Sequence, residues 1–208
     1  MNLLECLIAI ALSMLLLNPL LKTSADLAAK QIEYEKRQSL TAEAERAFEL
    51  IGRAIRMAGY RNIHSTARRK QEDQWIQVYK KSGYRGSDSL TVQHEISAAM
   101  DFDCIGNALS KERSKHGLAR QGFLVDRQAG IAKGAKVNGG SLICQSLDRQ
   151  GRLQNTTLMN GVSYLAIEEM ATPEKIPAQK LFKVRLQMTD GALLNIDLER
   201  IFSTRNLP

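Results

Sequence analysis

Residues 41–60 read TAEAERAFELIGRAIRMAGY. Leu40, Ala44, Ala47, Phe48, Ile51, Ile55 and Ala58 recur at steps of three and four, the spacing of one helical face. Glu43, Glu45, Arg46, Glu49, Arg53 and Arg56 fall mostly on the other side. Gly59 is a natural stop. The pattern predicts an amphipathic helix that lays its apolar face on a core.

The helical pattern extends upstream into MNLLECLIAIALSMLLLNPLLK (1–22). At about 1.5 Å per residue, Met1 to Leu21 covers ~30 Å, the thickness of a bilayer core. A helix running from the start to Ala58 would be ~87 Å long, more than a globular core of this size can bury. Its first half therefore needs lipid, or other copies of the same helix, around it. The run lacks a basic stretch before it and a small-residue cleavage site after it, which argues against a cleaved secretory signal. Lys22 follows it, so the charge rule taken literally would put the large part in the cytoplasm. The expectation adopted is that a basic leader has been removed and that Met1 is a processed terminus. Pro19, after Asn18, removes one backbone hydrogen bond and is expected to kink or loosen the helix.

Beyond the helix about 150 of the 208 residues are left, enough for one ordinary core. Residues 1–60 hold 7 Lys/Arg and 7 Asp/Glu, so the formal net charge of +7 lies in residues 61–208, a moderately basic part and not a polybasic tail. Its period is that of strands. QWIQVYKK (74–81) and DSLTVQHEI (88–96) alternate, and QGFLV (121–125) and GSLICQSL (140–147) read as short strands. KLFKVRLQMT and ALLNIDLERIF alternate around Asp190-Gly191, the signal of a type I′ hairpin turn. Leu181, Val184, Leu186, Ile196 and Leu198 supply its apolar positions, and Lys183, Arg185, Asp197 and Glu199 face elsewhere. Segments 61–73 and 107–120 are charged, poor in pattern and expected to be loops. The fold class is α+β: a long N-terminal helix packed by its second half on a mostly antiparallel sheet. The division expected is residues 1–27 as the membrane or filament-core half of the helix and 28–208 as the head.

Cys104 and Cys144 either bridge, closing a loop of about 41 residues, or are two buried free thiols; a bridge needs an oxidising compartment. His64, His94 and His116 lack metal-ligand spacing and read as surface or loop histidines. Asp101 and Asp103 flank Phe102 and read as a turn before Cys104. Arg61, Arg68, Arg69 and Lys70 form one basic cluster, and Lys111, Arg113, Lys115 and Arg120 another. If the two met on one surface they would suit DNA phosphates; solvated loop charge, or contact with an acidic neighbouring subunit, is the preferred reading. No nucleophile, metal or cofactor motif stands out, so neither catalysis nor a cofactor is expected.

NLLECLIAIAL (2–12) resembles the mature N-terminus of type IV pilins and type II secretion pseudopilins, which carry an aromatic residue or Met first and Glu fifth. IRMAGY, DFDCIG, LIC, MNGVSYLAIEE and the ending FSTRN (202–206) extend the resemblance, in order, to PilW-like minor pilins. Asn2, Cys6 and the position of Pro19 depart from the family pattern. The resemblance implies cleavage by prepilin peptidase with methylation of Met1, a Cys104–Cys144 bridge, and a periplasmic head on an inner-membrane anchor that later joins an extracellular pilus. The implied partners are other minor pilins, the major pilin, the inner-membrane assembly machinery and, where one exists, a large tip adhesin. The implied role is priming of pilus assembly at the tip. A J-type pseudopilin of type II secretion and a DNA-binding competence subunit are the alternatives. Physically, a carboxylate at mid-membrane costs about 2.5–3.5 kcal/mol on insertion scales. Facing another subunit's N-terminal ammonium it would be paired, which rewards assembly at one axial offset. The competing view is that Glu5 lies near the membrane surface and is hydrated.

Overall fold

The structure, a computed structural model, describes residues 2–62, 75–97, 100–115, 117–129, 139–171, 179–191 and 194–205. One helix, α1 (Leu3–Met57), is followed by seven strands among these residues: β1 (Ile76–Tyr79), β2 (Ser89–Glu95), β3 (Leu118–Asp126), β4 (Gly140–Leu147), β5 (Leu153–Met170), β6 (Leu181–Thr189) and β7 (Asn195–Ser203). The strands form one sheet in the order β1-β2-β3-β4-β5-β6-β7, antiparallel throughout. This α+β layout, a long N-terminal apolar helix and an antiparallel sheet, is pilin-like. Contacts divide the chain into two compact units, Met1–Ser39 and Leu40–Pro208.

The first unit is helical from Leu3 onward, and all of its described side chains are exposed. Its apolar members, Leu3 through Leu21, meet no core. Helix α1 runs through Pro19 without a break.

The second unit holds the core. Ala44, Ala47, Phe48, Ile51, Ile55 and Ala58 are all buried, as the periodicity predicts, with Ala54 beside them. Full burial of each large one contributes about 1.5–3 kcal/mol. Gly52 lets β7 approach the helix: a Cβ there would lie 2.4 Å from the ring of Phe202. Phe202 also meets Phe48, with ring centroids 6.3 Å apart. Arg200 lies over the Phe48 ring at 5.7 Å and pairs with Glu45. Helix α1 then ends two residues before Gly59, whose φ of 74° is left-handed. Segment 59–60 follows the edge of β2, with Gly59 N–H donating to Gln93 O (3.1 Å) and Glu95 N–H to Tyr60 O (2.9 Å).

Strand β5 was hidden in the sequence by its own irregularity. It has 18 residues; its first half pairs with β4 and its second with β6, with register shifts between residues 157 and 164. Gly161 (φ 79°) sits in that bulge, and a Cβ on it would meet Thr189 O at 2.7 Å. Past the bulge the edge of β5 is left without β4, and Ser87 and Asp88 take its place. Asp88 N–H donates to Leu165 O (2.8 Å), Leu165 N–H to Ser87 Oγ (3.3 Å) and Ile167 N–H to the Asp88 carboxylate (2.9 Å).

Four local expectations change. Residues 118–120 belong to β3 and not to a loop, because Leu118, Ala119 and Arg120 pair with Glu95, His94 and Gln93. The β6–β7 connection is no two-residue type I′ turn. Thr189 pairs with Asn195, and the loop between them closes through Leu194 N–H donating to the Asp190 carboxylate (3.1 Å), with Leu194 buried. Leu181 is off the core face, which Phe182, Val184, Leu186 and Met188 occupy in strict alternation. His94 is buried, because it follows Leu90 and Val92 on the inward parity of β2. His64 and His116, with most of 61–73, lie outside the described residues.

Candidate functional site

The N-terminus of α1 is closed by its own sequence. Asn2 stands at the N-cap, and its carbonyl accepts Glu5 N–H (3.0 Å) and Cys6 N–H (3.3 Å). The Glu5 carboxylate reaches back to accept Asn2 N–H at 3.0 Å. That is the backward arm of a capping box, with the acidic residue three positions past the cap. A carboxylate also suits this end of the helix dipole. Met1 lies outside the described residues. Glu5 therefore has a partner within its own chain and lies on an exposed surface.

Two hydroxyl side chains, in and just after the apolar run, turn back on the helix. Ser13 donates to Ala9 O (2.7 Å), and Thr23 to Pro19 O and Leu20 O (both 3.0 Å). Such internal satisfaction is what a lipid-facing helix requires. By length and composition α1 could cross a membrane. Cys6 is a free, exposed cysteine.

In the second unit Cys104 and Cys144 form a disulfide, with Cα atoms 6.0 Å apart. It ties the 101–109 loop to the middle of β4. The turn before it is organised by Asp103, which is fully buried. Its carboxylate accepts N–H groups from Ile105 (3.0 Å) and Asn107 (2.8 Å) and the Asn107 amide (3.1 Å). With its oxygens occupied in this way, Asp103 serves the turn. Asp101 accepts Ser97 N–H at 3.0 Å. Among the described residues no group of three or more His, Cys, Asp or Glu is placed to hold a metal ion.

Of the basic residues, Arg68, Arg69 and Lys70 lie outside the described residues. Arg61 and Lys115, one from each cluster, come to one end of the sheet: Tyr60 bonds Glu95, Glu95 pairs with Leu118, and Leu118 bridges Lys115. Lys111 and Lys115 are exposed. Arg61 lies over the Trp75 ring at 5.5 Å. Arg113 is structural and not solvated loop charge. It donates to Leu147 O (3.5 Å) and stands 4.0 Å from the Asp103 carboxylate, with its side chain only 17% exposed.

Among the groups of this unit with perturbed ionisation, Asp88 and His94 are the buried ones. Burial would raise the pKa of Asp88, but hydrogen bonds from Ile167, Lys80 and Lys81, with the Lys80 charge, hold it below the usual carboxylate range. Burial pushes the His94 imidazole down, partly opposed by the Asp101 charge, so it is neutral at pH 7. A cavity beside His94 is also lined by Arg53, Asp101 and Gln121, residues distant in sequence that no linear motif connects. The inward parity of His94 after Leu90 and Val92 was its one legible signal. No family model matches the chain, and neither does any curated protein or solved structure.

Proposed function

We propose that this chain is a minor pilin. In this reading its N-terminal helix anchors it in the inner membrane, its second unit is a periplasmic head, and it joins other minor pilins in a complex that primes pilus assembly. The observation that carries the reading is Glu5 at the third position of an exposed apolar helix, in a chain whose second unit is a helix-covered antiparallel sheet. A carboxylate at this place gains little from lipid. A neighbouring subunit's ammonium would give it a charge-assisted partner that the Asn2 amide does not supply. The Cys104–Cys144 disulfide supports an oxidising compartment for the head. Processing at Met1 by prepilin peptidase, and contacts with the major pilin, the assembly machinery and a tip adhesin, belong to the same proposal.

The test is deletion of the gene in its source bacterium. Surface pili fall sharply while the major pilin level is unchanged, and the intact gene restores them. Normal piliation in the deletion strain contradicts the reading. Loss of type II secretion with normal piliation would identify the pseudopilin alternative instead.

A further inference from the structure

Three neighbouring positions set a row of side chains on the sheet face away from α1. Arg120 of β3 pairs with Gln93 of β2, and Gln93 N–H donates to Trp75 O (2.8 Å), just ahead of β1. Partners across an antiparallel pair point to the same side. Val92 and Phe123 have the opposite parity and join the helix residues in the core. Trp75, Gln93 and Arg120 therefore share the outer face. Arg61 lies over the Trp75 ring at 5.5 Å. Leu118, two residues from Arg120 on the same face, bridges the exposed Lys115. One corner of the sheet thus gathers Arg61, Arg120 and Lys115.

Arg120 is the member that asks for a partner. It is half-buried, its Nε is closed off without a hydrogen bond, and no carboxylate pairs with its guanidinium among the described residues. Of its side-chain nitrogens only Nε is closed off in this way, so the terminal pair is the part that a ligand can reach. A guanidinium partly withdrawn from water gains most from a planar anion bound by two of its N–H groups. The surroundings favour carboxylates over nucleic acid. Trp75 is only 8% exposed and Arg61 covers its face, so no ring is offered for a base to stack on. Glu95 stands in the next row of the same face, where it accepts Asn62 N–H at 2.8 Å, and its charge interrupts a track for continuous phosphates.

We propose that this corner receives an acidic segment of a partner protein, one carboxylate held by the terminal nitrogens of Arg120 and its neighbours by Arg61 and Lys115. The assignment stands on the second unit alone and holds whether or not the chain enters a filament.

The test uses the full chain in uncharged detergent micelles at low ionic strength. Trp75 is the chain's one tryptophan, so its fluorescence reports on the charge above its ring. The probes are an N-acetyl tetraglutamate amide, the matching tetraglutamine peptide and a short DNA duplex. The expected result is a saturable change with tetraglutamate, absent with tetraglutamine and weakened by added salt. Arg120→Gln weakens tetraglutamate binding about 10- to 100-fold, the worth of a charge-assisted hydrogen bond, and Arg120→Lys falls between. Arg185→Gln, at a residue paired with Asp197 on other strands, leaves binding unchanged. Should Arg120→Gln fail to fold, the two peptides on the unaltered chain still decide. No saturable change, equal binding of the two peptides, or undiminished binding by folded Arg120→Gln overturns the proposal. Tighter binding of the duplex at equal charge concentration also overturns it, in favour of nucleic acid.

Discussion

The Glu5 carboxylate accepts the backbone N–H of Asn2 at 3.0 Å, so the residue that the filament reading assigns to assembly also caps its own helix. The two roles separate by substitution. Glutamine keeps the reach of a capping box and loses the charge, whereas alanine loses both. Glu5→Gln is expected to leave helicity unchanged by circular dichroism. Its incorporation into filaments should fall by at least about tenfold, because leaving a buried charge without its partner costs about 3–5 kcal/mol. Normal incorporation of the glutamine variant would reduce Glu5 to a helix cap.

Asp88 replaces a strand along the edge of β5. Its carboxylate holds Ile167 N–H at 2.9 Å, Lys81 N–H at 3.0 Å and Lys80 Nζ at 2.9 Å. Asp88→Ala leaves the Ile167 amide unpaired in a buried setting and is expected to cost about 2–4 kcal/mol in denaturant unfolding. The pH dependence has a definite sign. The folded pKa lies below the unfolded value, so the stabilisation is complete above about pH 4 and is lost as pH falls through the folded pKa. Asp88→Asn should flatten that acid limb, and an unchanged limb would show that other carboxylates set it.

Gly52 leaves room for the Phe202 ring. Gly52→Ala puts a methyl group 2.4 Å from a ring carbon, and overpacking of this kind costs about 1–3 kcal/mol. Phe202→Leu in the same chain should recover much of the loss. If the double variant shows no such recovery in thermal unfolding, the clash is not the cause.

The Cys104–Cys144 bridge closes a loop of about 41 residues, worth about 4 kcal/mol in the chain-entropy model. Replacing both cysteines by serine should lower the denaturant midpoint accordingly. Cys6→Ser, at the exposed free cysteine, should leave it unchanged.

The legible parts of the fold were those where one periodicity ran without interruption. Leu40 to Ala58 kept a helical step, and β6 kept a strand step from Phe182 to Met188. Strand β5 was lost because its bulge spaces the buried Met159, Val162 and Leu165 three apart, which no alternating template matches. The β6–β7 turn was misjudged because Asp190-Gly191 is a local signal, while the loop is closed from outside it by buried Leu194. At the N-terminus the position of Glu5 was readable, but its bond to Asn2 was not, since the capping role of Asn2 depends on where the helix starts. The His94 cavity joins α1, β2 and a loop, and only the folded chain brings them together.

The most direct test of the central claim is the mass of the N-terminal peptide of the protein recovered from its native membrane. The minor pilin account predicts a peptide that begins at Met1 with a methylated amine, from a gene that encodes a leader upstream. An unmodified or formylated Met1 as the translation start, with no leader encoded, would contradict it.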